Sequence, residues 1–210
     1  MRAVSWFIVI GVLAALFWRF PLWHIVPLKT ATTEKTAGVF NPTGFAEDFW
    51  TNRLAASLGQ AVKADVLLPA IQAGPAAAKA KFAHGGALGD SYFYFLSGSG
   101  RVVAVSDDEI SLAVTEGSTN VDVVLEVGLV FGNAVRDGTG LLNAGDYADS
   151  QNFNDISAAL NHIVETRVLP PLKGQGKVGA KISFVGCAEV DDESGDLKPL
   201  KVVPIQTTSP

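Results

Sequence analysis

Residues 101–114 read RVVAVSDDEISLAV. Apolar and polar positions alternate with period two on both sides of Asp107-Asp108-Glu109, the pattern of two strands joined by a tight polar turn. On the N-terminal side, the strand-rich run YFYFL (92–96) is followed by RVVAVS (101–106). VDVVLEVGLVF (121–131) is a third long strand with Gly128 as a candidate bulge. The glycine-spaced segment GNAVRDGTGLLNAGDYADSQN then leads into a helix. That helix is capped by Asn154 or Asp155, buries Ile156, Leu160, Ile163, Val164 and Val168, and ends at Pro170-Pro171. Two strands follow, over 178–190 and 197–205, around the acidic turn DDESGD.

Upstream, NPTGFAEDFWTNRLAASLGQAV predicts an amphipathic helix over about 44–63, with Thr43 as cap and Phe45, Phe49, Trp50, Leu54, Leu58 and Val62 as its apolar stripe. An Ala-rich helix follows over about 65–82, interrupted near Pro69 and at Gly74-Pro75. The expected fold is therefore α+β. A helical layer (44–83) precedes an OB-like five-stranded barrel (92–205) of order β-β-β-α-β-β, because the OB barrel carries its helix between the third and fourth strands.

The first 28 residues differ in kind. Val4–Trp18 is apolar except for Ser5 and Gly11, and Arg2 is the only charge before it. The run falls short of the roughly 20 residues a bilayer span needs. It reaches that length through Phe20, Leu22, Trp23, Ile25 and Val26 if Arg19 snorkels and Trp18 and Trp23 sit at the interface. Small residues suited to signal-peptide cleavage are missing after Leu16. Residues 1–28 are thus expected to be an uncleaved signal-anchor in the inner membrane, with the bulk of the chain in the periplasm, cleavage being the weaker alternative. Residues 29–38 (LKTATTEKTAG from Leu28 on) form a polar tether, and 39–210 form one periplasmic domain.

Composition excludes more than it assigns. Charged residues are 18% of the 210, the net charge is -5, and Lys and Arg are scattered singly. Nucleic-acid binding needs clustered cations, so none is expected. Cys187 is the single cysteine, which rules out an intramolecular disulfide, and its strand context reads as a small buried residue. His24, His84 and His162 pair with no other ligand at metal spacing, so no metal and no cofactor are expected. Gly89-Asp90-Ser91 resembles an esterase block but no Asp-x-x-His completes a triad. Gly138-Thr139-Gly140 lacks the GK[ST] of a phosphate loop, and Asp191, Asp192, Glu193 and Asp196 do not have EF-hand spacing. No catalytic residue is assigned.

Several phrases taken together carry a resemblance: HIVPL, FNPTGFAEDFW, GRVVAVS, VDVVLEVGLVF, VRDGTGLL, DYADSQNFNDISAALN and VGAKISFVG. In this order the chain resembles an uncharacterised bacterial family described as predicted periplasmic lipoproteins. The resemblance implies an OB-like barrel outside the inner membrane, often encoded beside sugar-type ABC importers. Members carry Cys and Lys before IVPI, where Trp23 and His24 stand here. Arg136, Asp137, Asn152, Phe153 and Asn161 fall in the family-like segment and are the candidates for a shared binding surface. The expected function is a non-enzymatic accessory or saccharide-binding module of a carbohydrate ABC transport system. Two alternatives stay open: a hydrolase using Asp137, Asp146 or Asp149, which needs two carboxyls facing across a cleft, and a purely structural interaction module.

Overall fold

The computed structural model describes residues 40–85, 90–143 and 150–208. The signal-anchor with Trp18, Arg19 and Trp23, the tether, and the hydrolase candidates Asp146 and Asp149 lie outside the described residues. Among the described residues no helix is long and apolar enough to cross a membrane.

Helix α1 (Pro42–Asp48) is capped by Asn41, whose Oδ1 accepts from Gly44 N at 3.0 Å, with Pro42 in the first turn. The cap lies two residues before the Thr43 expected from sequence, because Pro42 needs no helical N–H partner at that position. The helix continues through a π-helical stretch (Phe49–Leu54), α2 (Ala55–Ser57) and a 3-10 turn (Leu58–Gln60). It stops short of residue 63: β1 (Val62–Lys63) instead pairs in parallel with Leu96 and Ser97. Helices α3 (Ala64–Ala73) and α4 (Pro75–Phe82) follow, broken at the extended Gly74 as the sequence suggests. Pro69 is accommodated within α3.

After the short β2 (Ala83–Gly85), the barrel consists of β3 (Tyr92–Val105), β4 (Glu109–Ala113), β5 (Val123–Glu126), β6 (Lys181–Val190) and β7 (Leu200–Thr208). Pairing runs β3-β4-β5-β7-β6 and returns to β3, with β5 and β7 parallel. Closure is uneven. β3 and β6 pair over ten residues, from Tyr92↔Val190 to Arg101↔Lys181, whereas β5 and β7 share three pairs. Val102, Ile110, Leu112, Leu125, Ile182, Leu200 and Val202 fill the core at 0–1% exposure. Each contributes about 1.5–3 kcal/mol through burial.

β3 runs without a break from YFYFL through SGSG into RVVAV. Glycine is needed there because a Cβ on Gly100 would lie 2.9 Å from Ala113 O, and one on Gly98 would lie 2.9 Å from the Ala64 Cβ. Two strand expectations are corrected. The strand expected over 121–131 ends at Glu126. Beyond it, Val127 N and Gly128 N both donate to Asp108 O, at 2.7 and 3.1 Å, which takes the chain out of the ladder. A Cβ on Gly128 would meet Asp108 Oδ1 at 2.6 Å, so this glycine permits close approach to the β3–β4 turn and does not form a bulge.

Helix α5 (Ala134–Asp137) and helix α6 (Ser150–Ile163) connect β5 to β6. α6 begins before Asn154 and Asp155, which therefore lie within it and do not cap it. It runs on through a π-helical turn (Val164–Val168) into α7 (Leu169–Gln175). Pro170 and Pro171 do not end the helical path, because they occupy the first turn of α7, where a missing N–H costs little. α1 packs against α6, and Arg167 donates to Glu47 across the pair.

Candidate functional site

Arg136 and Asp137, the leading candidates from sequence, are both buried, at 1% and 3% exposure. Arg136 Nε donates to Asp137 Oδ1 at 2.7 Å and Nη2 donates to Asp137 Oδ2 at 2.9 Å, a two-pronged pair. Nη1 donates to Phe153 O and to Asn154 Oδ1, each at 3.4 Å. The guanidinium carbon stands 3.8 Å over the Phe153 ring. Arg136 therefore ties α5 to the first turns of α6. Phe153 is the buried platform of that tie, and Asn152 is half-buried beside it.

The remaining candidate acts about two turns further along α6. Asn161 Nδ2 donates to Gly132 O at 3.1 Å, while Ser157 Oγ donates to Asn133 Oδ1 at 3.1 Å. On the barrel side, Asn133 N donates to Glu189 Oε2 at 3.2 Å. Burial pushes the Glu189 carboxyl above its ordinary range; the Asn133 hydrogen bond and Arg136 oppose this, while Asp191 and Asp137 reinforce it. A Cβ on Gly138 would meet Ala134 O at 2.4 Å and the Cys187 side chain at 2.5 Å, so only glycine lets α5 lie this close to β6. Cys187 is fully buried there, which pushes its thiol pKa well up.

Sequence reasoning thus located a cluster that the fold assembles, but the assembly clamps the segment between β5 and α6 and presents no open charge. Both oxygens of Asp137 already accept from one guanidinium, so it is a poor acid or base. Among the described residues no group of three or more His, Cys, Asp or Glu is placed to hold a metal ion. The acidic turn closes on itself: Asp196 Oδ2 accepts from Asp191 N and Asp192 N, and Asp192 Oδ1 accepts from Ser194 N.

A different feature offers room for a ligand. A cleft of about 460 Å³ opens where β1, β3, β6 and β7 meet. Strand register builds its polar wall: Ser99 pairs with Ser183, which pairs with Thr208, placing three hydroxyls side by side across three strands. The adjacent row is Ser97, Val185 and Gln206. Lys63 and Asp65 are the charged members of the lining. Ser99 Oγ is buried with no hydrogen-bond partner among the described residues. Such an unmet group costs about 1–3 kcal/mol. The sequence signal was present in SGSG and in KISF, but hydroxyls alternating along a strand look like any solvent-facing edge until register aligns them.

A β3-β4-β5-β7-β6 ring with its helix between β5 and β6 defines the class: an OB-type α+β protein. Comparison agrees, since the fold matches the crystal structure of an OB-fold protein from Thermotoga maritima with a TM-score of 0.72 and 26% identity, over 82% of this chain and 100% of that one. The chain belongs to the family described as predicted periplasmic lipoprotein (DUF2291), whose model matches residues 8–208. That membership indicates a membrane-associated periplasmic protein. No curated protein matches the chain.

Proposed function

We propose that the chain is a non-enzymatic accessory module at the periplasmic face of the inner membrane, serving a carbohydrate ABC transport system and holding a saccharide in the cleft between β3, β6 and β7. The observation that carries the reading is the aligned row Ser99, Ser183 and Thr208 beside Gln206. Neutral hydroxyl and amide groups can both donate and accept, which matches the alternating demands of a polyhydroxyl ligand. The volume lies within the range of small-molecule sites, about 300–1,000 Å³. The link to a transporter rests on the family resemblance. Anchoring by residues 1–28, with Trp18, Arg19 and Trp23 at the boundary, belongs to the same proposal.

The test has two arms on the full chain in mild detergent. A sugar panel is titrated by calorimetry, and the chain is cross-linked in native membranes and its neighbours identified. Saturable sugar binding with a transporter component among the neighbours supports the reading. The absence of both results would sink it. Of the carboxylates named for the hydrolase alternative, Asp137 has both oxygens engaged by Arg136, while Asp146 and Asp149 lie outside the described residues.

A further inference from the structure

Two large apolar side chains stand in solvent on the segment between β5 and α5. Leu129 is 74% exposed and Phe131 77%, while Val130 between them is 6% exposed. The backbone that displays them is held from several sides. Val127 N and Gly128 N donate to Asp108 O, Val130 N donates to Glu165 Oε1 at 2.9 Å, and the network of Asn133 and Asn161 fixes the far end. Gly132 sits at φ +78°, the left-handed region that favours glycine, and turns the chain toward α5. A rigid segment that holds two apolar side chains in water forgoes the free energy of their burial. A binding partner would recover that free energy.

The surroundings of Phe131 specify the partner's chemistry. Phe131 borders a cleft of about 330 Å³ that Asp108, Glu109 and Glu126 also line. It borders another of about 180 Å³ lined by Glu189, Asp191 and Asp196. Among the described residues lining these two clefts the sole cation is Lys201, and its Nζ already lies 3.6 Å from Glu109 Oε1. On these two sides the surface has an apolar centre and a carboxylate rim; on the third, a cleft of about 410 Å³ at Phe131 is lined mainly by neutral polar side chains with His162 and Glu165.

We propose that Leu129 and Phe131 form a docking surface for a partner-protein segment that presents apolar side chains flanked by lysine or arginine. Charge argues against two other occupants. An anionic bilayer would repel the rim. A second copy in a two-fold contact would oppose carboxylates to carboxylates. An apolar centre within a charged rim is the arrangement of a protein interface whose core supplies affinity and whose rim selects the partner.

The full chain is titrated with synthetic peptides carrying a central Phe and Leu flanked by Lys, Ala or Glu, read by fluorescence anisotropy. Lys-flanked peptides should bind at least about tenfold tighter than Ala-flanked ones. Added salt should erase the difference, and Phe131→Ser or Leu129→Ser should remove binding without moving the thermal midpoint. Three results would overturn the proposal: no peptide binding, equal binding by Lys-rich peptides with Ala at the centre, or loss of phosphatidylglycerol-vesicle binding on Phe131→Ser. A failed sugar titration leaves this surface untouched, since the cleft between β3, β6 and β7 shares no residue with it.

Discussion

Replacing Asp137 with alanine tests the reading of the Arg136 cluster as scaffold. The substitution leaves a guanidinium that is 1% exposed, and removes the acceptors of its Nε and Nη2, at 2.7 and 2.9 Å in the wild type. Breaking a buried pair by deleting one partner costs about 3–5 kcal/mol, mostly through the charge left behind. The two 3.4 Å contacts of Nη1 and the Phe153 ring do not neutralise that charge. The double variant Arg136→Met/Asp137→Leu buries no charge, so it should cost less than Asp137→Ala alone. Arg167→Ala is the internal control, because the Arg167–Glu47 pair is 51% and 41% exposed. It should cost no more than about 1 kcal/mol. Urea denaturation of the full chain followed by circular dichroism measures all three, with the slope checked for constancy. An Asp137→Ala loss below about 1 kcal/mol, indistinguishable from the control, would refute the scaffold reading.

Gly138→Ala should destabilise by about 1–3 kcal/mol, since its methyl group would overlap Ala134 O and the Cys187 side chain; an unchanged denaturation midpoint would contradict this. Cys187, 0% exposed with its thiol pKa raised by burial, should resist a thiol-labelling reagent until urea unfolds the chain, and rapid native labelling would disprove its packing. Burial raises the Glu126 pKa, with Glu109 adding to this and Lys201 opposing it. A carboxyl whose folded pKa is raised contributes stability that is intact below its unfolded pKa and lost as pH rises through the folded value. Glu126→Gln should therefore raise the thermal midpoint at neutral pH and change it little at pH values below the carboxylate range. A gain confined to acid pH would reverse the sign.

The barrel was legible where local pattern and topology agree. The hairpin around Asp107 and Asp108, the helix placed between the third and fourth strands, and the break at Gly74-Pro75 all follow from periodicity and turn chemistry. What escaped depends on contacts between distant residues. The apolar run Val127–Phe131 looks like strand, yet its donors go to Asp108 O and Glu165 Oε1, residues no local window joins. The glycines of SGSG answer to Ala113 and Ala64, close approaches that no local window shows. Pro170-Pro171 looks like a stop, yet the preceding π-helical turn resets the helix so that they begin α7. For the candidate site, sequence placed Arg136, Asp137, Phe153 and Asn161 in one segment, but not their burial. A guanidinium and a carboxylate adjacent in sequence usually face water, and only the Phe153 platform and the register of α6 against α5 enclose them here. The hydroxyl row escaped for the opposite reason, being spread over three strands that lie as much as 109 positions apart, from Ser99 to Thr208.

The saccharide reading turns on the cleft, and calorimetric titration of the full chain and its Ser183→Trp variant with the same sugars tests it most directly. Ser183 lies in the middle of the hydroxyl row, half-buried on β6, so an indole there fills the cleft without entering the core. A saccharide held in this cleft gives saturable heat for at least one sugar with the wild type and none with the variant, at an unchanged thermal midpoint. Identical titrations for the two proteins, or no heat from any sugar with either, would contradict it.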